Sequence, residues 1–312
     1  MNPTQASYTA LATSLMRALH TRGDPAPLLD DPWGDRLVPE AVKAGLRERA
    51  MARLDPAVRA AAAASPDKVL DGALRANAGY AEVILRSRYT EDALKAAVAR
   101  GVTQYVLIGA GFDSFACRRP AWAEGLHIYE VDHPATQQLK RARLQQCDVA
   151  ESDTVHFVAA DLSEETLQSA LARSSFQPTQ PTFFAWLGVT VYLTREANLA
   201  TLRAIASSAP AGSELVFTYI DEAILRADAV GDERFNQLRS DVSSVGESFL
   251  SGFDPATLNT LLQGTGLLLE EDLGGDQFVA RYDAAGVNGL RAAGAAHIAH
   301  ARVVVSAAPP AA

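Results

Sequence analysis

The spacing of hydrophobic positions changes near residue 103. Before that point, apolar residues recur at the three- and four-residue intervals of amphipathic helices, and strand signals are almost absent. Helices are predicted at residues 9–20, 41–53, 57–64 and 73–100, the last with a break near residue 88. We therefore expect residues 1–98 to form a helical cap. Within it, the proline-rich stretch 27–35 (PLLDDPWGD) is predicted to be a surface loop, with the lining of the cap as the alternative.

After residue 103, short and continuously apolar runs alternate with helical segments. Strands are predicted at residues 104–108, 126–131, 155–159, 182–187, 214–219, 267–271 and 299–305. Helices are predicted between them at residues 135–146, 164–173, 195–208 and 278–293. This alternation is typical of an α/β fold with a doubly wound, mostly parallel seven-stranded sheet. It predicts a Rossmann-like core at residues 99–312, and the polar, strand-poor residues 221–250 are predicted to form an inserted lid.

The composition and net charge of the chain limit the classes of partner that it is expected to bind. The 312 residues are 48% hydrophobic and 21% charged, as in a soluble globular protein, and we expect a cytoplasmic location. The net charge is −9 without a cluster of Lys or Arg, so neither nucleic acid nor an anionic membrane is an expected partner. Cys117 and Cys147 lack metal-binding spacing, and no metal is expected. A small molecule or another protein is the favoured partner, and the oligomeric state, monomer or homodimer, stays open.

A glycine loop follows the first predicted strand, in the order Gly109, Ala110, Gly111. Ligands of open α/β sheets bind at the carboxyl ends of the strands, and residues without side chains let a ligand approach the backbone. The alternative is a tight turn that contacts no ligand. The loop alone therefore indicates a nucleotide site without establishing one.

Acidic residues end the next two strands. Glu130 and Asp132 close the second, and Asp132 lies at the offset from the glycine loop at which a carboxylate can accept from ribose hydroxyls. Asp161 closes the third strand, where it could accept from an adenine amino group beside the backbone and apolar side chain of Leu162. Asp161 could instead cap the following helix. Glycines after the first strand, followed by carboxylates at the ends of the second and third strands, together predict a binding site for an adenosine.

The same stretch helps to choose between NAD(P) and S-adenosylmethionine (SAM). A dinucleotide loop usually carries a third glycine where this chain has Ser114, and the nearby Asp113 would repel a pyrophosphate. SAM carries cationic groups that suit an acidic rim, and its carboxylate requires a cation. Arg86, on the helix before the first strand, could hold that carboxylate bidentately. A solvated arginine is the alternative, and an NAD(P)-dependent oxidoreductase stays the competing function.

Six motifs occur in an order that resembles the leucine carboxyl methyltransferase family, in its bacterial branch of SAM-dependent O-methyltransferases, which includes polyketide carboxyl methyltransferases. They are ILRSRYTED, VLIGAGFDSFACRRP, IYEVDHP, AADL, WLGVTVYLT and VFTYID, and the resemblance covers roughly residues 8–305. It implies a class I methyltransferase fold with a helical cap over the substrate. It also implies that Arg86 holds the methionine carboxylate, Gly109 and Gly111 border the methionyl group, Asp132 binds the ribose, and Asp161 with Leu162 binds the adenine.

The chain departs from that family at one position. The family often has a glutamate five positions before the tyrosine of its V-Y-[ML]-[TP] segment, and here Leu187 precedes Tyr192 by that distance. An acidic contact to the methionine amine is therefore missing or supplied by another group, such as Asp113 or a backbone carbonyl near Gly188. A catalytically silent protein that retains SAM is the alternative that this change keeps open.

The acceptor is predicted to be a carboxylate of a small metabolite or of a peptide C-terminus. A carboxylate is already ionised near neutral pH, whereas a phenol or enol needs a base. The sequence offers no obvious His/Asp pair: His133 is expected to be structural or near the ribose, and His297 and His300 are expected to lie away from the mouth of the cavity. Candidate acceptor contacts are Thr190, Tyr192 and Tyr219, and candidate cations are Arg17, Arg22, Arg88 and Arg226.

Overall fold

The computed structural model describes residues 7–225, 233–244 and 247–304. Its described residues before the first strand fold into helices α1–α6, at Tyr8–Gly23, Trp33–Arg36, Glu40–Ala52, Pro56–Ala62, Pro66–Ala76 and Tyr80–Ala99. The prediction of a long helix over residues 73–100 is wrong in one respect, because the helix is interrupted at Asn77 and not near residue 88. There the Asn77 side-chain oxygen accepts from the backbone N–H of Gly79 at 2.9 Å, which ends α5 and starts α6.

The remaining residues build one seven-stranded sheet, as predicted. Strands β1–β7 lie at Gln104–Ile108, His127–Asp132, Val155–Ala159, Thr182–Trp186, Glu214–Ile220, Leu267–Gly274 and Ala296–Val303. Their order is β3-β2-β1-β4-β5-β7-β6, and β7 alone among the described strands runs antiparallel to both neighbours. The carboxyl ends of β1 to β5 therefore share one edge of the sheet, and the start of β7 joins them there.

Six more α-helices follow the first strand in the described chain. Helices α7–α12 lie at Pro134–Gln146, Leu167–Ala172, Arg195–Ser208, Glu233–Ser244, Leu258–Gln263 and Gly275–Tyr282. The helix predicted over residues 278–293 is wrong beyond Tyr282, and α11 is not among the predicted helices. The proposed lid contains α10, while residues 226–232 and 245–246, with Arg226, lie outside the described residues. Within the described ranges, no helix has both the length and the apolar character that crossing a membrane requires.

The sheet lies between two apolar layers. One layer joins α1, α5, α6 and α12 to the faces of β1, β4 and β5, and the other joins α8, α9 and α11 to the opposite face. Helix α6 packs directly on β4 and β5. Since the first layer runs without interruption from the N-terminal helices to the sheet, both parts share a core, and a domain boundary at residue 98 stays a prediction.

A buried ionic network fastens α1 to the loop after β1. Asp31 is fully buried and accepts from Arg17 Nε at 2.8 Å and from the Ser114 hydroxyl at 2.6 Å. Arg17 also donates to the carbonyl oxygen of Phe112 at 2.6 Å. The prediction of a surface loop over residues 27–35 is therefore wrong at Asp31, because this carboxylate holds the N-terminal helix against the glycine loop.

Candidate active site

Two adjoining cavities open at the carboxyl edge of the sheet. The glycine-loop cavity, of about 320 Å³, is lined by the loop after β1 and by residues at the ends of β2, β3 and β4. The apolar cavity, of about 480 Å³, lies between α1, α3, α5, α6 and the ends of β5 and β7. Residues that line both cavities form their junction: Thr9, Thr13, Arg86, Gly188 and Tyr192.

The glycine loop adopts a backbone that requires glycine. Gly109 and Gly111 have φ values of +70° and +52°, in the left-handed region that side chains disfavour. A Cβ atom on Gly109 would lie 2.5 Å from Cγ2 of Val189, and one on Gly111 would lie 3.1 Å from Cβ of Ala10. Ala110 lines the cavity between them. The loop is therefore pressed between α1 and the chain that follows β4.

Asp113 and Asp132 hold this loop in shape. The carboxylate of Asp132 accepts from the backbone N–H of Gly111 at 2.5 Å and from that of His133 at 2.7 Å, and burial raises its pKa. Asp113 accepts from the N–H of Phe115 at 2.8 Å. Both acids line the glycine-loop cavity, and each carboxylate retains lone pairs with which to bind a ligand.

Glu130 is placed differently from the other predicted cofactor contacts. Its carboxylate lies 2.5 Å from Nζ of Lys140, and both side chains are only 2% exposed. It does not line the glycine-loop cavity. The structure therefore corrects its assignment as a cofactor contact: Glu130 is half of a buried ion pair under the sheet edge.

Asp161 and Leu162 line the far end of the glycine-loop cavity. Asp161 accepts from the N–H and the hydroxyl of Ser163, at 2.9 and 2.6 Å. It does not cap α8, whose N-cap is Thr166. The alternative role as a helix cap is therefore wrong. His133 lines the cavity beside it, with Nε2 at 3.6 Å from the Asp161 carboxylate.

Arg86 lies at the junction and has no hydrogen-bond or ion-pair partner among the described residues. Burial, followed by the neighbouring charge of Arg17, lowers the pKa of its guanidinium to about 10, so it stays cationic at neutral pH. A Cβ atom on Gly188 would stand 2.6 Å from its Nη1. A partly buried guanidinium that lines two cavities, without a partner among the described residues, is a ready receptor for a carboxylate.

The three residues predicted to contact the acceptor differ in their position relative to the cavities. Tyr192 lies at the junction, and burial, followed by the charge of Glu247, raises its pKa to about 12. Thr190 lines neither cavity, because its hydroxyl is buried and donates to the carbonyl oxygen of Thr218 at 2.7 Å. Tyr219 lines the apolar cavity, but its hydroxyl donates to Asp272 at 2.6 Å. The assignment of Thr190 is therefore corrected.

Most candidate cations are already paired. Arg17 pairs with Asp31, Arg22 with Asp71 at 2.5 Å, and Arg88 with Asp92 at 2.8 Å. Sequence reasoning missed several polar residues that line the apolar cavity, among them Thr9, Thr13, Arg49, Glu82 and His297. The spacing of Thr9 and Thr13, one helical turn apart on α1, was the signal in the sequence that could have placed both on one face of that helix.

The polar side chains that line the glycine-loop cavity fit SAM. Carboxylates at the ends of β2 and β3 suit hydroxyl and amino donors, and the unpaired Arg86 suits a carboxylate. Leu187 lines the glycine-loop cavity and supplies only an apolar surface there. A phosphate-binding loop would differ from this one at Asp113, because a carboxylate within the loop repels a phosphate group.

Comparison with known proteins agrees with this geometry. A family model described as leucine carboxyl methyltransferase matches residues 10–206. YktD of Bacillus subtilis, an S-adenosyl-L-methionine-dependent methyltransferase by name, is 30% identical over 279 residues, which are 88% of this chain and 91% of YktD. A Mycolicibacterium vanbaalenii protein of the same designation is 32% identical over 252 residues, 78% of either chain.

Two solved structures share the fold. A Thermobifida fusca protein described as a methyltransferase superimposes with a TM-score of 0.54 at 12% identity, and the match covers 94% of each chain. A DUF574 family protein from Streptomyces avermitilis superimposes with a TM-score of 0.56 at 14% identity, over 96% of this chain and 98% of that one. At such identities the likeness concerns the fold alone.

Proposed function

The chain belongs to the leucine carboxyl methyltransferase family and is a SAM-dependent methyltransferase of the class I fold; from that premise we propose that it methylates an oxygen nucleophile, a carboxylate of a small metabolite or of a peptide C-terminus. The alternative of an NAD(P)-dependent oxidoreductase falls away with this membership. A methyl donor and an acceptor must bind side by side, and the two adjoining cavities offer one site for each.

SAM would occupy the glycine-loop cavity. Arg86 would hold its carboxylate, Asp132 its ribose hydroxyls, and Asp161 with Leu162 its adenine. The methyl-bearing end would then lie at the junction, since Arg86 and Gly188 line both cavities. The acceptor would enter from the apolar cavity and meet the methyl group there.

The composition of the junction is the observation that favours a carboxylate acceptor. The two titratable groups there are Arg86 and Tyr192, whose pKa values are about 10 and about 12. Neither takes up a proton at neutral pH, and the other described junction residues are two threonines and a glycine. A phenol or enol would need a base at this point, whereas a carboxylate with a pKa of about 4 is ionised already.

The chain's own contribution is then alignment and exclusion of water. SAM supplies a methyl group already activated by the positive charge on sulfur. The protein must bring the acceptor oxygen to within about 3–3.5 Å along the line of attack. The hydroxyl of Tyr192, protonated at neutral pH, can donate to the acceptor carboxylate and orient it. Apolar side chains around the cavity exclude water from that contact.

Transfer of tritium from [methyl-³H]SAM to a panel of aryl-alkanoic acids, fatty acids and short peptides tests the proposal. Methyl esters release tritiated methanol in mild alkali, whereas aryl and alkyl ethers do not, so the label reports the acceptor class directly. Alkali-labile label is expected with at least one acid. Alkali-stable label would exclude a carboxylate as the acceptor, and SAM binding without any transfer across the panel would favour the silent, SAM-binding alternative.

A further inference from the structure

Three polar side chains meet at the end of the apolar cavity that lies away from the glycine loop. The Nδ1 atom of His297 lies 3.2 Å from a carboxylate oxygen of Asp272 and 3.2 Å from the hydroxyl of Tyr219. The Tyr219 hydroxyl donates to the other Asp272 oxygen at 2.6 Å, and its ring stacks on the imidazole with 4.9 Å between centroids. The expectation that His297 lies away from the cavity is wrong, because it lines the apolar cavity.

These contacts determine which ring nitrogen is available. A carboxylate can only accept, so Nδ1 of His297 carries the proton that it donates to Asp272. In the neutral ring, Nε2 is then a hydrogen-bond acceptor. None of the described residues hydrogen-bonds to Nε2. The pair with Asp272 thus fixes the tautomer and leaves one directed acceptor without a partner.

Gly274 keeps the edge of this ring uncovered. It lies opposite His297 on the neighbouring strand, and a Cβ atom there would stand 3.4 Å from Cε1 and 3.6 Å from Nε2. Its φ of −76° and ψ of 167° are accessible to any residue, so the backbone does not require glycine at this position. The absence of a side chain therefore leaves this edge of the imidazole, with Nε2, uncovered by residue 274.

The position of His297 along the sheet edge sets the length of a ligand that could reach it. Gly188, at the junction, donates from its N–H to the hydroxyl of Thr218 on β5 at 2.7 Å, and His297 pairs with Tyr219 across β5 and β7. Two strand spacings therefore separate His297 from the junction, about 10 Å. That separation suits recognition of a second group on the acceptor, away from the end that reacts.

We propose that His297, oriented by Asp272 and Tyr219, binds a hydroxyl group of the acceptor through Nε2, so that the acceptor is an elongated hydroxy acid with an apolar body. This inference rests on the proposed carboxylate methylation, which places the acid end at the junction. The hydroxyl donates to Nε2, and the body between the two polar ends fills the apolar cavity. His297 is in this role a specificity residue and takes no part in methyl transfer.

A matched pair of acids tests the proposal on enzyme saturated with S-adenosylhomocysteine (SAH). The probes are 3-(4-hydroxyphenyl)propanoate and 3-phenylpropanoate, which differ only in the hydroxyl, and calorimetry gives both affinities. One net hydrogen bond of about 1 kcal/mol predicts a roughly fivefold preference for the hydroxy acid. His297→Ala is expected to remove that preference while SAH affinity and the affinity for 3-phenylpropanoate stay unchanged.

A second variant keeps the test decisive if His297→Ala fails to fold. Gly274→Ala adds one methyl at ordinary contact distance from the imidazole, covers Nε2 and is expected to remove the preference as well. Gly125→Ala is the matched control, since no atom lies within 4 Å of the added methyl, and it should retain the preference. Equal affinity of the wild type for both acids would overturn the hydroxyl site, and alkali-labile methylation of either acid would then leave the proposed function standing.

If neither acid binds, p-cresol and toluene take their place, because they probe the hydroxyl site without requiring a carboxylate. A preference for p-cresol that His297→Ala removes supports the hydroxyl site and assigns the failure to the carboxylate end. Equal affinity for p-cresol and toluene overturns the hydroxyl site.

Discussion

The guanidinium of Arg86 lies so close to the backbone of Gly188 that a Cβ atom at position 188 would stand 2.6 Å from Nη1 and 2.9 Å from Cζ. Gly188 also has a φ of +68°, which side chains disfavour. The contact brings α6 against the chain after β4 and holds, between the two cavities, a positive charge that none of the described residues pairs. It therefore links the geometry of the helical region to the predicted binding of the cofactor carboxylate.

Gly188→Ala is expected to weaken SAH binding by tenfold or more, because the new methyl group displaces Arg86. Gly212→Ala is the matched control: its φ is +90°, but no atom lies within 4 Å of an added Cβ. Both variants should lose stability by roughly 1 kcal/mol from backbone strain, and only Gly188→Ala should lose affinity. Calorimetry and thermal unfolding measure the two effects, and equal losses of affinity would argue against a role for this contact.

Substitutions of the two carboxylates on β2 should affect different properties, one the affinity for SAH and the other the stability of the fold. Asp132→Ala is expected to lower SAH affinity roughly tenfold or more, since hydrogen bonds to a charged group contribute about 1.5–3 kcal/mol. Glu130→Gln should instead leave Lys140 as an uncompensated buried charge and cost about 3–5 kcal/mol of stability, with SAH affinity within twofold of wild type. Urea unfolding and calorimetry on both variants check this. Loss of affinity in Glu130→Gln at full stability would return Glu130 to the cofactor site.

Asp31 should make the fold sensitive to acid. Burial acts to raise its pKa, but Arg17 and then Arg118 outweigh burial and hold the pKa below its ordinary value. A lowered pKa contributes stability above the unfolded value of about 3.9, and that contribution is lost as pH falls through the lower folded value.

Asp31→Asn is therefore expected to cost about 3–5 kcal/mol at pH 7, because the buried guanidinium of Arg17 loses its counter-ion, while Arg118 keeps its ion pair with Glu91. The substitution should also flatten the stability profile below pH 4. Asp35→Asn is the control, since that carboxylate is 46% exposed and lies 3.2 Å from Lys43. It should cost less than about 1 kcal/mol. Parallel acid profiles for Asp31→Asn and wild type would remove Asp31 as the cause.

The strands of the parallel sheet were predictable because each is a continuous apolar run. The bounds of β1 and β3 match the prediction, and β4 and β5 differ from it by one residue. The predicted start of β7 is three residues late, at Ala299 instead of Ala296, so His297 falls outside the predicted strand. The helix predicted over residues 278–293 fails because Gly286 and Gly289 adopt positive φ beyond Tyr282, and alanine-rich composition does not show this.

The lining of the glycine-loop cavity was predictable where a strand end carries its own polar or glycine residues, as at Gly109 and Asp132. It was not predictable where function depends on pairing between distant segments. In the sequence, Asp31 belongs to a polar stretch, and only the folded chain brings Arg17 and Ser114 to it. His297 and Asp272 meet because β6 and β7 pair, and sequence spacing carries no sign of that register.

Leu187 gives a last prediction, since it lines the glycine-loop cavity where the family often has a glutamate. Leu187→Glu should place a carboxylate near the expected position of the methionine amine and tighten SAH binding relative to the neutral isostere Leu187→Gln. A charge-assisted hydrogen bond of about 1.5–3 kcal/mol is offset by the cost of burying the charge, so about a tenfold difference is expected. Calorimetric titration of both variants and wild type measures it. Equal affinity in the two variants would mean that another group, such as Asp113 or a backbone carbonyl near Gly188, already binds the amine.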